Sequence, residues 1–96
     1  MSTRAASDCK KLAALRLRID VLDRRLVRLL AARQRLVSAM LPHKTRLRDP
    51  RREARVLADA AQEARRAGLD GIFVRSVFCG LLGASRSFLR RRARPA

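Results

Sequence analysis

The strongest constraint on the fold is a row of apolar residues that repeats in alternating steps of three and four. The row comprises Leu12, Leu15, Ile19, Leu22, Leu26, Leu29, Leu36 and Met40. This heptad spacing places the side chains on one side of an α-helix, whereas a strand would alternate apolar and polar residues by twos. Pro42 follows the row, and proline ends or kinks a helix. The pattern predicts a first helix from about Asp8 to Leu41.

Local signals predict two further helices. Asp49 and Pro50 have the residue types preferred at the N-cap and at the first helical position. Gly68 supplies a left-handed C-terminal stop, which ends the second helix near Ala67. Asp70 then caps a third helix, whose apolar residues are Phe73, Val74, Val77, Phe78, Leu81, Leu82, Phe88 and Leu89. We therefore expect an all-α fold of three helices.

The predicted length of the first helix favours a homodimer. A helix of about 34 residues spans ~50 Å, whereas a compact globule of this chain length has a radius of gyration of only ~12–13 Å. The rest of the chain cannot cover such a helix, so its apolar row must pack on a second copy. Around the helical domain, residues 8–90, we expect a flexible N-terminal arm, residues 1–7, and a basic C-terminal tail, residues 91–96.

The net charge of +16 predicts attraction to anions, either nucleic acid, a membrane surface or a small polyanion. Nearly all of the basic residues are arginine, a bias that a GC-rich genome also produces. There is no Trp or Tyr to stack on bases, which makes nucleic acid a possible but less favoured partner. Charge alone therefore does not choose the ligand.

The remaining composition predicts no metal and no membrane. Cys9, Cys79 and the single histidine, His43, lack the number and spacing of a zinc site. Cys79 stands in an apolar run, where we expect it to be buried. No signal sequence is recognisable, and no segment approaches the ~20 apolar residues of a membrane span. We expect a cytoplasmic protein.

Arg33 interrupts the apolar row, because the register that places Leu26 and Leu29 inside also places this guanidinium inside. A buried cation is unfavourable unless it meets an anion. The anion could be Glu53 or Asp59 of another helix, or a ligand, or the helix could shift register and expose Arg33. Arg16 lies ~25 Å away along the same helix, so only an antiparallel second copy would bring an Arg16 close to Arg33.

Four segments in order resemble the type II, all-helical chorismate mutases. They are LRLRIDVLD at residues 15–23 with LLAAR at 29–33, then DPRRE at 49–53, and GLD at 68–70 followed by Phe73, Val74 and Phe78. The resemblance implies an intertwined homodimer with two active sites, each shared between protomers. It also implies an isomerase of the shikimate pathway that serves aromatic amino acid biosynthesis, converting chorismate, a dianion, into prephenate without any cofactor.

The resemblance assigns roles to individual residues. Arg33, Arg52 and the partner protomer's Arg16 match carboxylate-binding arginines, and Lys44 matches the lysine that donates to the ether oxygen, so that Arg33 and Lys44 would be the catalytic pair. Asp49 and Glu53 match the positions that hold the ring hydroxyl. Ser85 matches a small polar residue beside a carboxylate. The alternatives without a functional role are that Asp49 serves only as an N-cap, and that Arg52 and Glu53 are simply solvated residues of the first helical turn.

Two differences from the family's sequence pattern predict an enzyme of weak catalytic activity. Leu89 stands where the family usually has Gln or Glu, and loss of one such donor costs on the order of 3–4 kcal/mol of transition-state stabilisation. Arg86 or Arg90 could substitute for the missing donor by reaching in, although neither lies on the helical line of Ser85 and Leu89. The connection from Lys44 to Asp49 is also shorter than is usual in the family. The alternatives are an isochorismate pyruvate-lyase or aminodeoxychorismate mutase on the same scaffold, or a catalytically silent basic binding module.

Overall fold

A computed structural model describes residues 3–43, 46 and 48–93 of the chain. Within these ranges the protein consists of three α-helices and has no strand. Helix α1 is Thr3–Met40, a 3₁₀ turn follows at Leu41–His43, α2 is Pro50–Ala67, and α3 is Gly71–Ala93. The predicted all-α, three-helix class with one long N-terminal helix is confirmed.

Helix α1 is longer than predicted at its N-terminal end. The segment expected to be a flexible arm, residues 1–7, is helical from Thr3 onward, so this expectation is wrong for residues 3–7. The segment contains Arg4, Ala5 and Ala6, which favour a helix but add nothing to the apolar row that located its start. At the other end α1 stops at Met40, two residues before Pro42, as expected of a proline.

The predicted caps of α2 are confirmed. Asp49 precedes the helix in extended conformation, and its side chain accepts a hydrogen bond of 3.1 Å from the backbone N–H of Arg52. Gly68 ends the helix with a φ of 68°, in the left-handed region where a Cβ would be strained. The following Leu69 N–H donates to the Ala64 carbonyl at 2.8 Å, which satisfies one of the free carbonyl groups at the helix end.

Helices α2 and α3 form an antiparallel pair. The turn between them is short, and the Asp70 side chain caps α3 by accepting from the Ile72 N–H at 3.0 Å. Close to this turn, the buried residues Ala60, Ala64 and Val74 form a small core against which Phe78 packs. Alanines on α2 allow the two helices to approach closely, so most of this core is built from small side chains.

The chain divides into two compact units at Arg35 and Leu36. The first unit is α1 as far as Arg35. The second unit contains the last residues of α1, the 3₁₀ turn, α2 and α3. No residue of α1 is buried, and its apolar row is open to solvent, with exposed fractions between 45% for Met40 and 70% for Leu36. From Leu12 to Leu29, within the first unit, this exposed apolar row is about 26 Å long, given 1.5 Å per residue.

Helix α3 departs from expectation in two respects. Cys79 is exposed rather than buried, because only one stripe of α3 faces α2. That stripe contains the buried residues Val74, Leu82 and Leu89. By length and composition alone α3 would also suffice to cross a membrane, contrary to the expectation that no segment approaches this. Its basic end is solvated as expected: Arg90, Arg91 and Arg92 are exposed, and α3 continues to Ala93.

Candidate functional site

An ion pair in the second unit connects the first turn of α2 with the C-terminal half of α3. Nη1 of Arg86 donates a hydrogen bond to Oε1 of Glu53. The two side chains are half-buried, with 27% of Arg86 and 18% of Glu53 exposed. Glu53 is the one acidic residue in the described part of the chain that is not exposed. Charged side chains are rarely withdrawn from solvent. A partly buried carboxylate in contact with a partly buried guanidinium is therefore an unusual feature of this helix pair.

Arg86 faces α2 because of its position on α3. It lies four residues after Leu82 and three residues before Leu89, both of which are buried. Residues three and four apart share one side of a helix, so Arg86 extends the stripe that packs towards α2. Arg86 was expected to lie off the line from Ser85 to Leu89, and its inward position was not predicted. The signal was its spacing from Leu82.

The other predicted residues of α2 have different surroundings. Asp49 is exposed, and its carboxylate caps α2. Arg52 is exposed as well, and its backbone N–H is the donor to Asp49. Glu53 follows directly, and its own N–H donates to the Asp49 carbonyl oxygen at 3.0 Å. The first turn of α2 thus fixes Asp49, Arg52 and Glu53 as one rigid group.

The two predicted residues of α3 are less exposed. Ser85 is half-buried, and Leu89 is buried with 4% of its surface accessible. Leu89 therefore occupies an inward position, yet its side chain offers no hydrogen bond. Arg86 stands between the two in sequence and is the strongest hydrogen-bond donor on this side of α3.

The first unit, described by itself, contains the two predicted arginines of α1. Arg16 is exposed, whereas Arg33 is half-buried although its neighbours in the apolar row, Leu29 and Leu36, are 67% and 70% exposed. Among the basic residues that the structure describes, Arg33 and Arg86 are the ones that are not fully exposed. Lys44, the remaining predicted cation, lies outside the described residues.

A groove of about 480 Å³ lies between α2 and α3 at the end of the second unit nearest their connecting turn. Its apolar surface comes from Val56, Ala60, Ala64, Ala67, Leu69, Val74 and Phe78, and Arg52, Asp59 and Glu63 lie around it. Neither Glu53 nor Arg86 lines this groove. The apolar groove and the ion pair are therefore separate features of the same helix pair.

The chemistry available from these residues is binding and electrostatic. Among the described residues no group of three His, Cys, Asp or Glu is arranged to hold a metal ion. Half-buried guanidinium groups can bind carboxylates through paired N–H donors, and a half-buried carboxylate can accept from a hydroxyl group. Each such group can contribute to the binding of a hydroxylated anion.

Comparison with known proteins identifies the family of the chain. No curated protein matches the sequence. The chorismate mutase type II family, however, matches residues 15–90, which include the two arginines of α1, the capped first turn of α2 and most of α3. Because this match covers well over half of the sequence, the chain belongs to the chorismate mutase type II family.

Proposed function

We propose that the protein is a chorismate mutase that works as a homodimer and converts chorismate into prephenate. Family membership supports an activity of this kind, and the observation that carries the proposal is the burial of charge. Within the described residues, Glu53 on the acidic side and Arg33 and Arg86 on the basic side are the charged groups withdrawn from solvent. They belong to the regions that the family match covers.

The reaction suits a site of this composition. In the rearrangement one carbon–oxygen bond of the ether breaks while a carbon–carbon bond forms within the same molecule, so no atom is gained or lost. The site has to hold the dianion in a compact conformation, and a well-oriented intramolecular reaction can gain ~7–11 kcal/mol from such positioning. It must also stabilise negative charge that develops on the ether oxygen.

The proposed roles are those that the resemblance to the family implies. Arg33, Arg52 and the partner protomer's Arg16 bind the two carboxylates, and Lys44 donates to the ether oxygen. Glu53 accepts from the ring hydroxyl, and Asp49 contributes there while it caps α2. Ser85 lies beside a carboxylate. Leu89 offers no donor where the family usually has one, so we expect turnover to be slow unless another residue of α3 supplies that donor.

The exposed apolar face of α1 supports the homodimer. Each residue of the apolar row between Leu12 and Met40 is at least 45% exposed. Monomeric proteins rarely expose contiguous apolar surfaces of this extent, and a second α1 with the same heptad row is a matching partner. The groove between α2 and α3 offers a second apolar surface that another protomer could cover.

A direct assay tests this proposal. Purified protein is incubated with chorismate, isochorismate and aminodeoxychorismate in parallel, and loss of each substrate and the product formed are measured. We expect chorismate to give prephenate above the uncatalysed rate. Release of pyruvate from isochorismate alone would instead identify a lyase, and no turnover of any substrate at high protein concentration would contradict the proposal.

A further inference from the structure

We propose that Arg86 contacts the bound substrate and supplies the hydrogen-bond donor that Leu89 cannot, while Glu53 positions its guanidinium. This inference rests on the proposed function, since it concerns the same ligand. It assigns a substrate contact to a residue that lies within the second unit and off the helical line of Ser85 and Leu89.

The surroundings of Arg86 distinguish it from the other described basic residues of the helix pair. The other described basic residues of α2 and α3 are exposed, whereas 27% of the Arg86 side chain is accessible. Removing a guanidinium from water is unfavourable, and Glu53 offsets that cost through the ion pair. A surface arginine would gain little from this arrangement, so the partial burial indicates a group held in a set position.

The side chain of Arg86 lies along the surface of α3. A Cβ atom added at Gly83 would lie 3.6 Å from Nη2 of Arg86. The guanidinium therefore folds back along α3 over a residue that has no side chain, instead of extending into solvent past the helix end. Glu53 is hydrogen-bonded to Nη1, so it fixes the guanidinium at one edge.

The guanidinium of Arg86 has more hydrogen-bond donors than the described contact with Glu53 uses. A guanidinium has five N–H donors, and the carboxylate of Glu53 occupies one of them among the contacts described for Arg86. Leu89, one turn further along the same face, is buried and has none. On the face of α3 that looks towards α2, Arg86 is thus the residue able to meet negative charge that develops during the reaction.

A set of α3 variants tests the inference. Turnover of chorismate is measured for the full-length wild-type protein, for Arg86→Met and for Arg90→Met. Arg90 is the matched control, because it lies one turn later on α3, is exposed and donates to the Ser87 hydroxyl. We expect Arg86→Met to lower kcat by about 100-fold and Arg90→Met to leave it unchanged.

Combining these changes with Leu89→Gln separates a substrate contact from a structural role. If Arg86 already supplies the donor, a glutamine at position 89 raises kcat little in the wild-type protein and by about 100-fold in Arg86→Met. A purely structural Arg86 predicts the same factor in both backgrounds, which would overturn the inference. Arg86→Met with wild-type or faster turnover would overturn it as well.

Two controls accompany this experiment: a check of the fold and assembly of Arg86→Met, and a variant that retains the charge. Circular dichroism and molar mass in solution establish whether Arg86→Met keeps its fold and assembly, and Arg86→Lys provides a variant that retains the charge if it does not. We expect Arg86→Lys to show intermediate kcat, because an ammonium group lacks the fork of the guanidinium. Absence of turnover by the wild-type protein contradicts the proposed function, whereas wild-type turnover with an unaffected Arg86→Met contradicts this inference alone.

Discussion

Arg86 of α3 donates to Glu53 of α2 across 33 positions of the sequence, and both side chains are half-buried. This contact joins the two helices at the end opposite to their connecting turn. The small core of Ala60, Ala64 and Val74 lies nearer to the turn, whereas the buried residues Leu82 and Leu89 flank Arg86 along α3.

The first prediction is that this ion pair stabilises the protein more than an exposed pair does. In a double-mutant cycle of Glu53→Gln and Arg86→Met, each single change leaves a half-buried partner and should cost about 1–3 kcal/mol of unfolding free energy. The pair of Arg66 and Glu63, with 65% and 69% of the side chains exposed, is the matched control. Its coupling should be about 0.2–1 kcal/mol.

Urea unfolding of the four proteins in each cycle provides the coupling energies. If the Glu53–Arg86 coupling did not exceed that of Arg66 and Glu63, the partial burial of the pair would have no consequence for stability. The arrangement of Arg86 would then lack the rigidity that a substrate contact requires.

The helix boundaries could be predicted where their determinants are local. Asp49 and Gly68 act through hydrogen bonds and dihedral angles within a few residues, and the structure confirms both. The start of α1 could not be located in the same way, because residues 3–7 form helix without contributing to the apolar row. The exposure of Cys79 was missed because apolar residues surround α3, and only packing decides which side is covered.

The candidate site, like the helix boundaries, could be predicted only where its determinants are local in the sequence. Arg33 stood out because it breaks a periodic row, but its half-burial does not come from that row, whose residues are all exposed. The pairing of Glu53 with Arg86 depends on how two helices align, which no local pattern in either helix specifies. The sequence therefore identified charged candidates but not which of them meet.

The second prediction separates the two roles of Asp49. Asp49→Ala removes the acceptor of the Arg52 N–H and should cost about 1 kcal/mol of unfolding free energy. Asp49→Asn retains a good capping side chain, so stability should change little. If Asp49 also contacts the ring hydroxyl, Asp49→Asn should still raise the KM for chorismate. An unchanged KM together with unchanged stability would reduce Asp49 to a helix cap.

The third prediction concerns the burial of Leu89. Since 4% of this residue is accessible, Leu89→Gln places an amide in an apolar position and should lower the unfolding free energy by about 1–3 kcal/mol. Leu89→Met conserves volume and polarity, and should cost less than about 1.5 kcal/mol. Thermal and urea unfolding of both variants provide the comparison. Equal stability of the two would mean that position 89 is open to water in solution.

The fourth prediction tests the role of α1 in assembly. Leu29 belongs to the apolar row and Leu17 lies on the other side of the helix, yet both are 67% exposed. Glutamate at either position therefore changes the isolated protomer to a similar degree, and only a second chain packed on the row distinguishes them. We expect Leu29→Glu to reduce the molar mass in solution from twice the 10.8 kDa of the chain to that of a monomer, and Leu17→Glu to leave the dimer intact.

Turnover should follow assembly in this comparison, because the proposed site requires Arg16 from the partner protomer. Light scattering after size-exclusion chromatography measures the mass, and the chorismate assay is run on the same fractions. A monomeric wild-type protein, or variants that behave alike, would show that the apolar row of α1 is not the dimer interface. A monomeric Leu29→Glu with full activity would show instead that each site is complete within one chain, so that Arg16 of a partner has no part in it.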